Sequence, residues 1–355
     1  MRYRRLAGLV AGTLAAVLAG GLTGALGTAR PAAALLPDTF GFALWSGGVV
    51  SQQWPAATTV SPGVPGRWVV RFPGVAAAGG VVHVTAVHDA ITNPPGRWCQ
   101  ADSWGPVGPD EVVKVSCYRP GGILDPQPGF SVQFARSSGV FAAARYGYVD
   151  ANPGGGIITQ YNSTGAANTV TNAGAGLYSV SLIGLGTAGP QAGDVQATAV
   201  NPATGARCKV ASWQSTPNGQ FFRVYCFNPA GVPTNTRFTL TWHYQRALYG
   251  GASPPFKFAY LWNVPPLGPP LTNFNSAGPV GALAFGPPVW TATFGAVASP
   301  PGNVQVTAFG TTPDFCGLHS PWTPGAGALG IRINCFNNAG APVPSGFTVE
   351  YSSRF

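Results

Sequence analysis

The chain has 355 residues, of which 45% are hydrophobic and 8% charged, and it carries 50 Gly and 35 Pro. Its 20 Phe, 11 Tyr and 10 Trp exclude a disordered chain, because disordered segments are poor in aromatic residues. The formal net charge is +9, but the basic residues form no cluster, so the sequence predicts no nucleic-acid partner.

The first 34 residues have the pattern of a secretory signal peptide. Three arginines among the first five residues precede an apolar, Gly-rich run over residues 6–26, and Ala32–Ala34 supply small residues for cleavage. The apolar run is just long enough to span a bilayer, so an uncleaved anchor is the alternative. Five glycines in the run and the Ala-rich site favour cleavage near Ala34. No later stretch is apolar enough to span a membrane, and the expected mature chain is extracellular or associated with the cell envelope.

Six cysteines divide the rest of the chain into three repeats. The separation within successive pairs is 18, 18 and 19 residues, and equivalent cysteines of neighbouring repeats are 108 or 109 residues apart. An even number of regularly spaced cysteines in an exported chain predicts disulfides rather than thiolate metal sites. The predicted bridges are Cys99–Cys117, Cys208–Cys226 and Cys316–Cys335.

Each repeat carries the same segments in the same order. The first is an alternating strand over residues 68–72, 178–182 or 290–294, and the second ends in Thr-Ala over residues 82–86, 195–199 or 304–308. The cysteine pair follows, with Trp104, Trp213 or Trp322 five or six residues after its first member. The closing strand covers residues 130–134, 238–242 or 347–351.

These segments alternate large apolar residues with Ser, Thr or Gln, which is typical of antiparallel sheets with one buried and one solvated face. About seven such strands in the second repeat favour an immunoglobulin-like β-sandwich. The predicted fold is therefore all-β, with three tandem sandwich modules over residues 35–137, 138–252 and 253–355. Each bridge is expected to face inward with the shared Trp packed near it, and each module to fold on its own, joined by short, stiff linkers.

The layout resembles secreted repeat proteins encoded in the genomes of high-GC Gram-positive bacteria. The resemblance covers nearly all of the mature chain and is closest in the second module, at Tyr178, Val195, Cys208, Trp213, Cys226 and Phe238. Module 1 departs from the pattern at Gly121-Gly122, and module 3 has one extra residue between Cys316 and Trp322. The resemblance implies a fold and an extracellular setting, but no activity.

The sequence offers few groups for catalysis. No His or carboxylate recurs in all three modules, so we predict no catalytic, metal or cofactor-binding residue and no cofactor. The best single-copy cluster is His83, His88, Asp89 and Asp102 in module 1. The odd offset between the two histidines places them on opposite faces of a regular strand, with His83 pointing to solvent. His243 is expected on a solvated face and His319 in the Cys316–Trp322 loop, both incidental.

Two features suggest binding. Phe258, Tyr260 and Trp262 alternate at the start of module 3 and could stack on sugar rings; Tyr146 and Tyr148, and Phe40, Phe42 and Trp45, echo this pattern. The second feature is charge. Module 2 has six basic and two acidic residues, and Lys209 and Arg223 are predicted on one solvent-facing surface that could bind an anionic polymer.

The sequence therefore predicts a secreted, non-catalytic β-repeat protein that acts at or outside the cell envelope, by binding or as a structural component. An anionic or glycan envelope polymer is the expected kind of partner. Two alternatives stay open: an extracellular hydrolase with a single-copy site in module 1, and a carbohydrate-binding protein that uses exposed aromatic residues.

Overall fold

A computed structural model describes residues 38–88, 96–139, 145–187, 193–265, 269–325 and 327–355. The predicted signal peptide and Asp89 lie outside these ranges. Module 1 contains nine strands: β1 Thr39–Ser46, β2 Val49–Trp54, β3 Thr59–Pro62, β4 Arg67–Phe72, β5 Val81–Val87, β6 Trp98–Val107, β7 Asp110–Arg119, β8 Ile123–Leu124 and β9 Gly129–Arg136. A 3₁₀ turn, Pro120–Gly122, precedes β8.

Module 2 contains eight strands: β10 Tyr146–Ala151, β11 Ile157–Asn162, β12 Thr169–Gly174, β13 Leu177–Ile183, β14 Asp194–Val200, β15 Arg207–Thr216, β16 Gly219–Phe227 and β17 Arg237–His243. Module 3 contains nine: β18 Phe258–Asn263, β19 Thr272–Asn275, β20 Ala282–Gly286, β21 Val289–Gly295, β22 Gly302–Phe309, β23 Phe315–Leu318, β24 Thr323–Pro324, β25 Ala328–Phe336 and β26 Gly346–Ser353. The all-β prediction is confirmed, and in module 2 only β11 was not anticipated.

The three predicted disulfides are confirmed. Each joins a directly paired couple of residues on neighbouring strands, with a Cα–Cα distance of 4.0 Å. Cys117, Cys226 and Cys335 are fully buried in the module cores, as their strand parity predicts. Closing a loop of 18 or 19 residues stabilises the fold by roughly 3 kcal/mol in the chain-entropy model. Trp213 and Trp322 belong to the buried cores that hold the second cysteines of their modules.

Every module is a sandwich of two half-sheets around one apolar core. The inner half-sheet holds the Thr-Ala strand and the closing strand: β1, β2, β5 and β9 in module 1, β10, β11, β14 and β17 in module 2, and β18, β19, β22 and β26 in module 3. The outer half-sheet holds the disulfide: β3, β4, β6, β7 and β8; β12, β13, β15 and β16; and β20, β21, β23, β24 and β25.

The modules are joined into a ring by their sheets. The outer half-sheet of module 1 continues into the inner half-sheet of module 2 through a parallel bridge between Ala101 and Val200. Module 2 continues in the same way into module 3 (Val210 with Phe309), and module 3 back into module 1 (Leu318 with Val87). Because each of the three sheets is shared by two modules, the described residues from Asp38 onward belong to one compact unit.

The polar faces of the inner half-sheets are buried at the centre of this ring, which corrects the prediction that they are solvated. His83 and His243 are 1% and 0% exposed, and Gln196, Gln305 and Glu350 are equally buried. The alternation of apolar and polar residues was interpreted correctly as two-faced strands. The second face, however, meets the polar faces of the other two modules instead of water. We call these buried side chains the central polar layer.

The central polar layer repeats one hydrogen-bond pattern around the ring. The Thr of each Thr-Ala pair accepts from a backbone N–H of a neighbouring module: Val306 N to Thr85 at 2.9 Å, Ala197 N to Thr307 at 2.9 Å, and Val84 N to Thr198 at 3.2 Å. The hydroxyl of each of these threonines also contacts a side chain of the neighbouring module, namely the one that lies two residues before that module's own Thr. These contacts are Thr85 to Gln305 (2.7 Å), Thr307 to Gln196 (2.7 Å), and Thr198 with His83 (3.3 Å). The motif therefore holds the modules together, because buried polar groups require such partners.

One side of this layer is rich in ionisable groups. His243 places Nδ1 2.7 Å from the carbonyl of Arg246 and Nε2 3.2 Å from the Asp194 carboxylate. Glu350 accepts from the Ser352 hydroxyl at 2.6 Å and from the Asn303 amide at 3.4 Å. Burial raises the pKa of Glu350 well above its usual range.

Candidate functional site

Most residues predicted to bind a ligand are buried. Lys209 is 3% exposed, and its ammonium group donates to the carbonyl groups of Thr312 (3.0 Å) and Asp314 (3.2 Å) of module 3. Burial lowers the pKa of Lys209 to about 8. The prediction of a solvent-facing Lys209 is wrong, because module 3 covers that end of β15. Arg223 is exposed, as predicted, and has no ion-pair partner in the described part of the chain.

The three aromatic residues of β18 are also unavailable for sugar stacking. Phe258, Tyr260 and Trp262 are 1–2% exposed. The ring of Tyr260 packs edge-on against His243, and Trp262 enters the core of module 2, 5.3 Å from Trp213 between ring centroids. The prediction is wrong because module 2 covers the face of β18 that an isolated sandwich would leave open.

The module 1 cluster does not assemble either. The ring of His88 lies 4.7 Å from that of Phe336, and burial lowers the pKa of His88 to about 3. Asp102 accepts from Ser116 and Arg67 instead. Within the described ranges no hydrogen bond or ion pair links His88 to Asp102, and no group of three His, Cys, Asp or Glu is arranged to hold a metal. The predicted solvent exposure of His83 and His243 is wrong, because both are buried.

An open cleft of about 430 Å³ lies at one end of the module 1 sandwich. Trp45 from the inner half-sheet and Trp68 from the outer half-sheet meet there, with ring centroids 5.0 Å apart and planes inclined by 44°. Both indoles are half-buried, so each is held by the core and still presents part of a ring to the cleft. The other lining residues are Ser46, Gly47, Gly48, Arg97, Gln127, Pro128 and Gly129.

The local sequence builds the rim of this cleft. β1 and β2 are joined by Gly47 and Gly48, both at positive φ (60° and 80°), as a two-residue type I′ turn requires. A Cβ at either glycine would meet no atom within 4 Å, so this side of the cleft is open. Trp45 has the same strand parity as Ala43, which faces the core, and the opposite parity to Phe40 and Phe42. Because of this parity, the side chain of Trp45 points between the two half-sheets at the open end of the sandwich.

The floor of the cleft is cationic. Arg97 is 2% exposed, and its Nε lies 3.1 Å from Oδ2 of the fully buried Asp125. Arg119 donates to the same carboxylate at 2.9 Å, so two guanidinium groups share one negative charge. Arg97 also donates to the carbonyl of Gln127 at 3.3 Å. This network fixes Arg97 and leaves a net positive charge beneath the two indoles.

The cleft is specific to module 1. The positions equivalent to Trp45 are Ala151 and Asn263, which pair with the closing strand in the same register. Tyr178 occupies the place of Trp68 in module 2 but is fully buried, and its hydroxyl accepts from Thr236 N at 3.1 Å. Ala206 occupies the place of Arg97 in module 2. Module 1 therefore has an open cavity lined by aromatic and cationic side chains at the place where module 2 has buried contacts.

Two further cavities are present. One of about 40 Å³ lies on the ring axis among the three Thr-Ala strands, and is large enough only for water. Another, of about 320 Å³, shares Trp68 with the cleft and is lined by Arg67, Asp102 and Lys114. The alternation in the sequence indicated Trp45, whereas nothing in the sequence indicated that Trp68 or Arg97 would join it.

The chain matches no family model, no curated protein and no solved structure. No helix in the described ranges has the length and apolar character needed to cross a membrane.

Proposed function

We propose that this protein is a secreted, non-catalytic glycan-binding protein that acts at or outside the cell envelope and holds a sugar unit in the Trp45–Trp68 cleft. The observation that carries the proposal is the pair of half-buried indoles, 5.0 Å apart, in a cleft of about 430 Å³. Ligand sites combine apolar walls with a few fixed polar groups in cavities of this size. The apolar faces of a sugar ring suit the indoles, and its hydroxyl groups suit Arg97, Ser46 and the backbone carbonyl groups.

The extracellular setting is supported by the cysteines. All six are bridged, and structural disulfides persist in oxidising compartments such as the exterior of the cell. A non-catalytic role is supported by the lining of the cleft. Its described residues include Arg97 but no His or carboxylate side chain within the cavity wall, and Asp125 beneath it is committed to two arginines. Glycoside hydrolysis generally uses a pair of carboxyl groups that flank the scissile bond.

The test is a binding screen of the purified chain against immobilised polysaccharides, followed by Trp45→Ala on every polymer that binds. We expect Trp45→Ala to weaken binding at least ten-fold, because one of the two stacking surfaces is lost. Trp104→Ala is the matched control: Trp104 is a half-buried indole of the same module that does not line the cleft. It should leave affinity within two-fold.

Three outcomes would contradict the proposal. They are the absence of binding to every polymer, equal weakening by both variants, and release of reducing ends from a polymer that binds. Circular dichroism and thermal unfolding of both variants establish that each still folds.

A further inference from the structure

The second cavity beside Trp68 is a built site at the seam between modules 1 and 2. It has a volume of about 320 Å³, and Pro202 of module 2 closes one side of it. Trp68 contributes to the lining of both cavities, so the two adjoin at this residue. We call it the seam pocket. Its polar lining residues are Arg67, Asp102, Ser103 and Lys114.

Asp102 brings an unsatisfied acceptor to the seam pocket. The register of β6 and β7 shifts at a bulge between Ala101 and Ser103, and the Asp102 carboxylate lies on the side of the strand that faces Ser116 and Arg67. The residue is 4% exposed; Oδ2 accepts from Ser116 Oγ at 2.6 Å and from Arg67 Nη1 at 3.3 Å. Oδ1 has no hydrogen-bond partner within the described chain.

The nearby amide of Gln100 does not satisfy this oxygen. Its nitrogen donates to two backbone carbonyl groups of module 2, those of Asn201 and Thr204, which uses both of its hydrogens. A buried acceptor without a partner costs free energy, so Oδ1 is suited to a donor that a ligand supplies. A sugar hydroxyl fits, since it can donate to a carboxylate or accept from a carboxylic acid.

The charge of the seam pocket favours an anion. Lys114 is exposed on β7 and has no ion-pair partner among the described residues. Arg67 is 31% exposed, and a single contact of 3.3 Å joins it to Asp102. Two cations therefore face one buried carboxyl group, and their charges are close enough to solvent for a ligand to reach.

Comparison of the three modules shows which features of the seam pocket recur in every module and which occur in module 1. Arg223 and Arg332 stand where Lys114 stands, three residues before the second cysteine, and both are exposed. The bulge residue equivalent to Asp102 in module 2 is Ala211, and the residue equivalent to Arg67 is Leu177. A cation at this position is thus common to the three modules, whereas the carboxyl, the second cation and the adjoining indole occur together in module 1.

We infer that the seam pocket binds the next unit of the same glycan and selects an acidic sugar, with its carboxylate on Lys114 and Arg67 and a hydroxyl on Asp102 Oδ1. This inference rests on the proposed function of the Trp45–Trp68 cleft. It names the substrate class more closely, as a polysaccharide that contains uronate-type units.

The experiment compares each acidic polysaccharide with its own carboxyl-reduced form, in which the uronate is a neutral hexose. Polygalacturonate, glucuronan and hyaluronan supply three such pairs. We expect at least one pair to bind, with the acidic member at least ten-fold tighter. Lys114→Met should reduce that ratio below three-fold, and 1 M salt should reduce it as well, because the Debye length falls to about 3 Å. Arg332→Met, the matched exposed cation of module 3, should leave the ratio unchanged.

The outcomes distinguish the two proposals. If reduced and acidic members bind equally and Trp45→Ala abolishes both, the seam-pocket inference is wrong and the cleft proposal stands. The inference is also wrong if Lys114→Met and Arg332→Met have the same effect, since a general surface charge would then explain the preference. If no member of any pair binds while another polymer binds and depends on Trp45, the seam-pocket inference is wrong and the cleft proposal stands. If Trp45→Ala has no effect on binding, the cleft proposal fails, and the seam-pocket inference fails with it.

Discussion

Residues 138–252, produced alone under oxidising conditions, should not unfold cooperatively, although their length would support a core of their own. The reason is that module 2 borrows part of its core. Trp262 of module 3 is buried within it, and Phe309 of module 3 packs against Trp262 with ring centroids 4.7 Å apart. Removing a large buried aromatic side chain costs about 3–5 kcal/mol. This alone is comparable to the total stability of a marginal domain, about 5–15 kcal/mol.

The fragment also loses polar partners. Lys209 and Arg207 donate to groups of module 3, so in the fragment these contacts disappear together with the cover over the disulfide. The polar side chains of β14 and β17 lose less, because water can replace their partners. We therefore expect the fragment to keep strand content by circular dichroism but to show a broad, non-cooperative denaturant transition and a poorly dispersed NMR spectrum.

The full chain supplies the complementary measurement. It should unfold in a single transition, and Trp262→Ala should shift that whole transition to lower denaturant. Independent modules would instead give separate transitions, with Trp262→Ala affecting one of them. A sharp, reversible transition for residues 138–252 would contradict the shared-core interpretation and support modules that fold on their own.

The contrast with the sequence prediction has a definite physical cause. Alternation of period two identifies a strand with two different faces, and the spacing of the cysteines identifies which strands are neighbours. Both were sufficient for seven of the eight strands of module 2 and for all three bridges. Neither the alternation nor the cysteine spacing indicates what covers the polar face of a strand, because Ser, Thr and Gln satisfy their hydrogen bonds equally well with water or with one another. His83 and Thr241, for example, meet 158 residues apart in sequence.

The candidate site was predictable to a smaller extent. The odd offset of Trp45 from Phe42 indicates a different face, and that signal was available. The seam pocket could not be predicted, because it depends on contacts of Asp102 with Arg67 and Ser116, which are distant in sequence, and on a loop of module 2 around Pro202. Exposure of Lys209 was mispredicted for the same reason: strand parity fixes the side of the sheet, but not whether another module lies there.

Acid stability should depend strongly on His83. This residue is fully buried, with Nδ1 3.3 Å from Thr198 Oγ1 and Nε2 2.8 Å from Thr241 Oγ1. Burial, and then the nearby His243, lower the pKa of His83 from 6.5 to about 3. A base with a lowered pKa contributes stability that is present above pH 6.5 and is lost as the pH falls toward 3. At pH 4 this loss is about 3 kcal/mol.

The buried carboxyl groups act in the opposite direction. Burial raises the pKa of Glu350, Asp102 and Asp150, and it raises that of Glu111 to about 7. Such groups contribute stability that is fully present below about pH 4 and declines as the pH rises. They therefore do not explain a loss of stability in acid. His83 and His88, whose pKa values are both lowered to about 3, do explain it, and the lowered pKa values of Asp110 and His319 act in the same direction.

His83→Gln tests this assignment by introducing the residue type found at the equivalent position in modules 2 and 3. Gln196 and Gln305 occupy the same position in modules 2 and 3, where each accepts from a threonine hydroxyl at 2.7 Å. Glutamine at position 83 can accept from Thr198 and donate to Thr241 without titrating. We expect the variant to match the native chain at pH 7 within about 1 kcal/mol, and to exceed its unfolding free energy by about 3 kcal/mol at pH 4.

Denaturant unfolding at pH 7 and pH 4 measures both quantities, with His319→Gln as the control. The pKa of His319 is also lowered, by burial and Arg332, but this side chain is only partly buried, so its substitution should change the acid loss much less. If His83→Gln loses as much stability between pH 7 and pH 4 as the native chain, His83 does not control the acid response. A gain in His83→Gln that is absent from His319→Gln would show that protonation of His83 contributes to the acid limit of the ring.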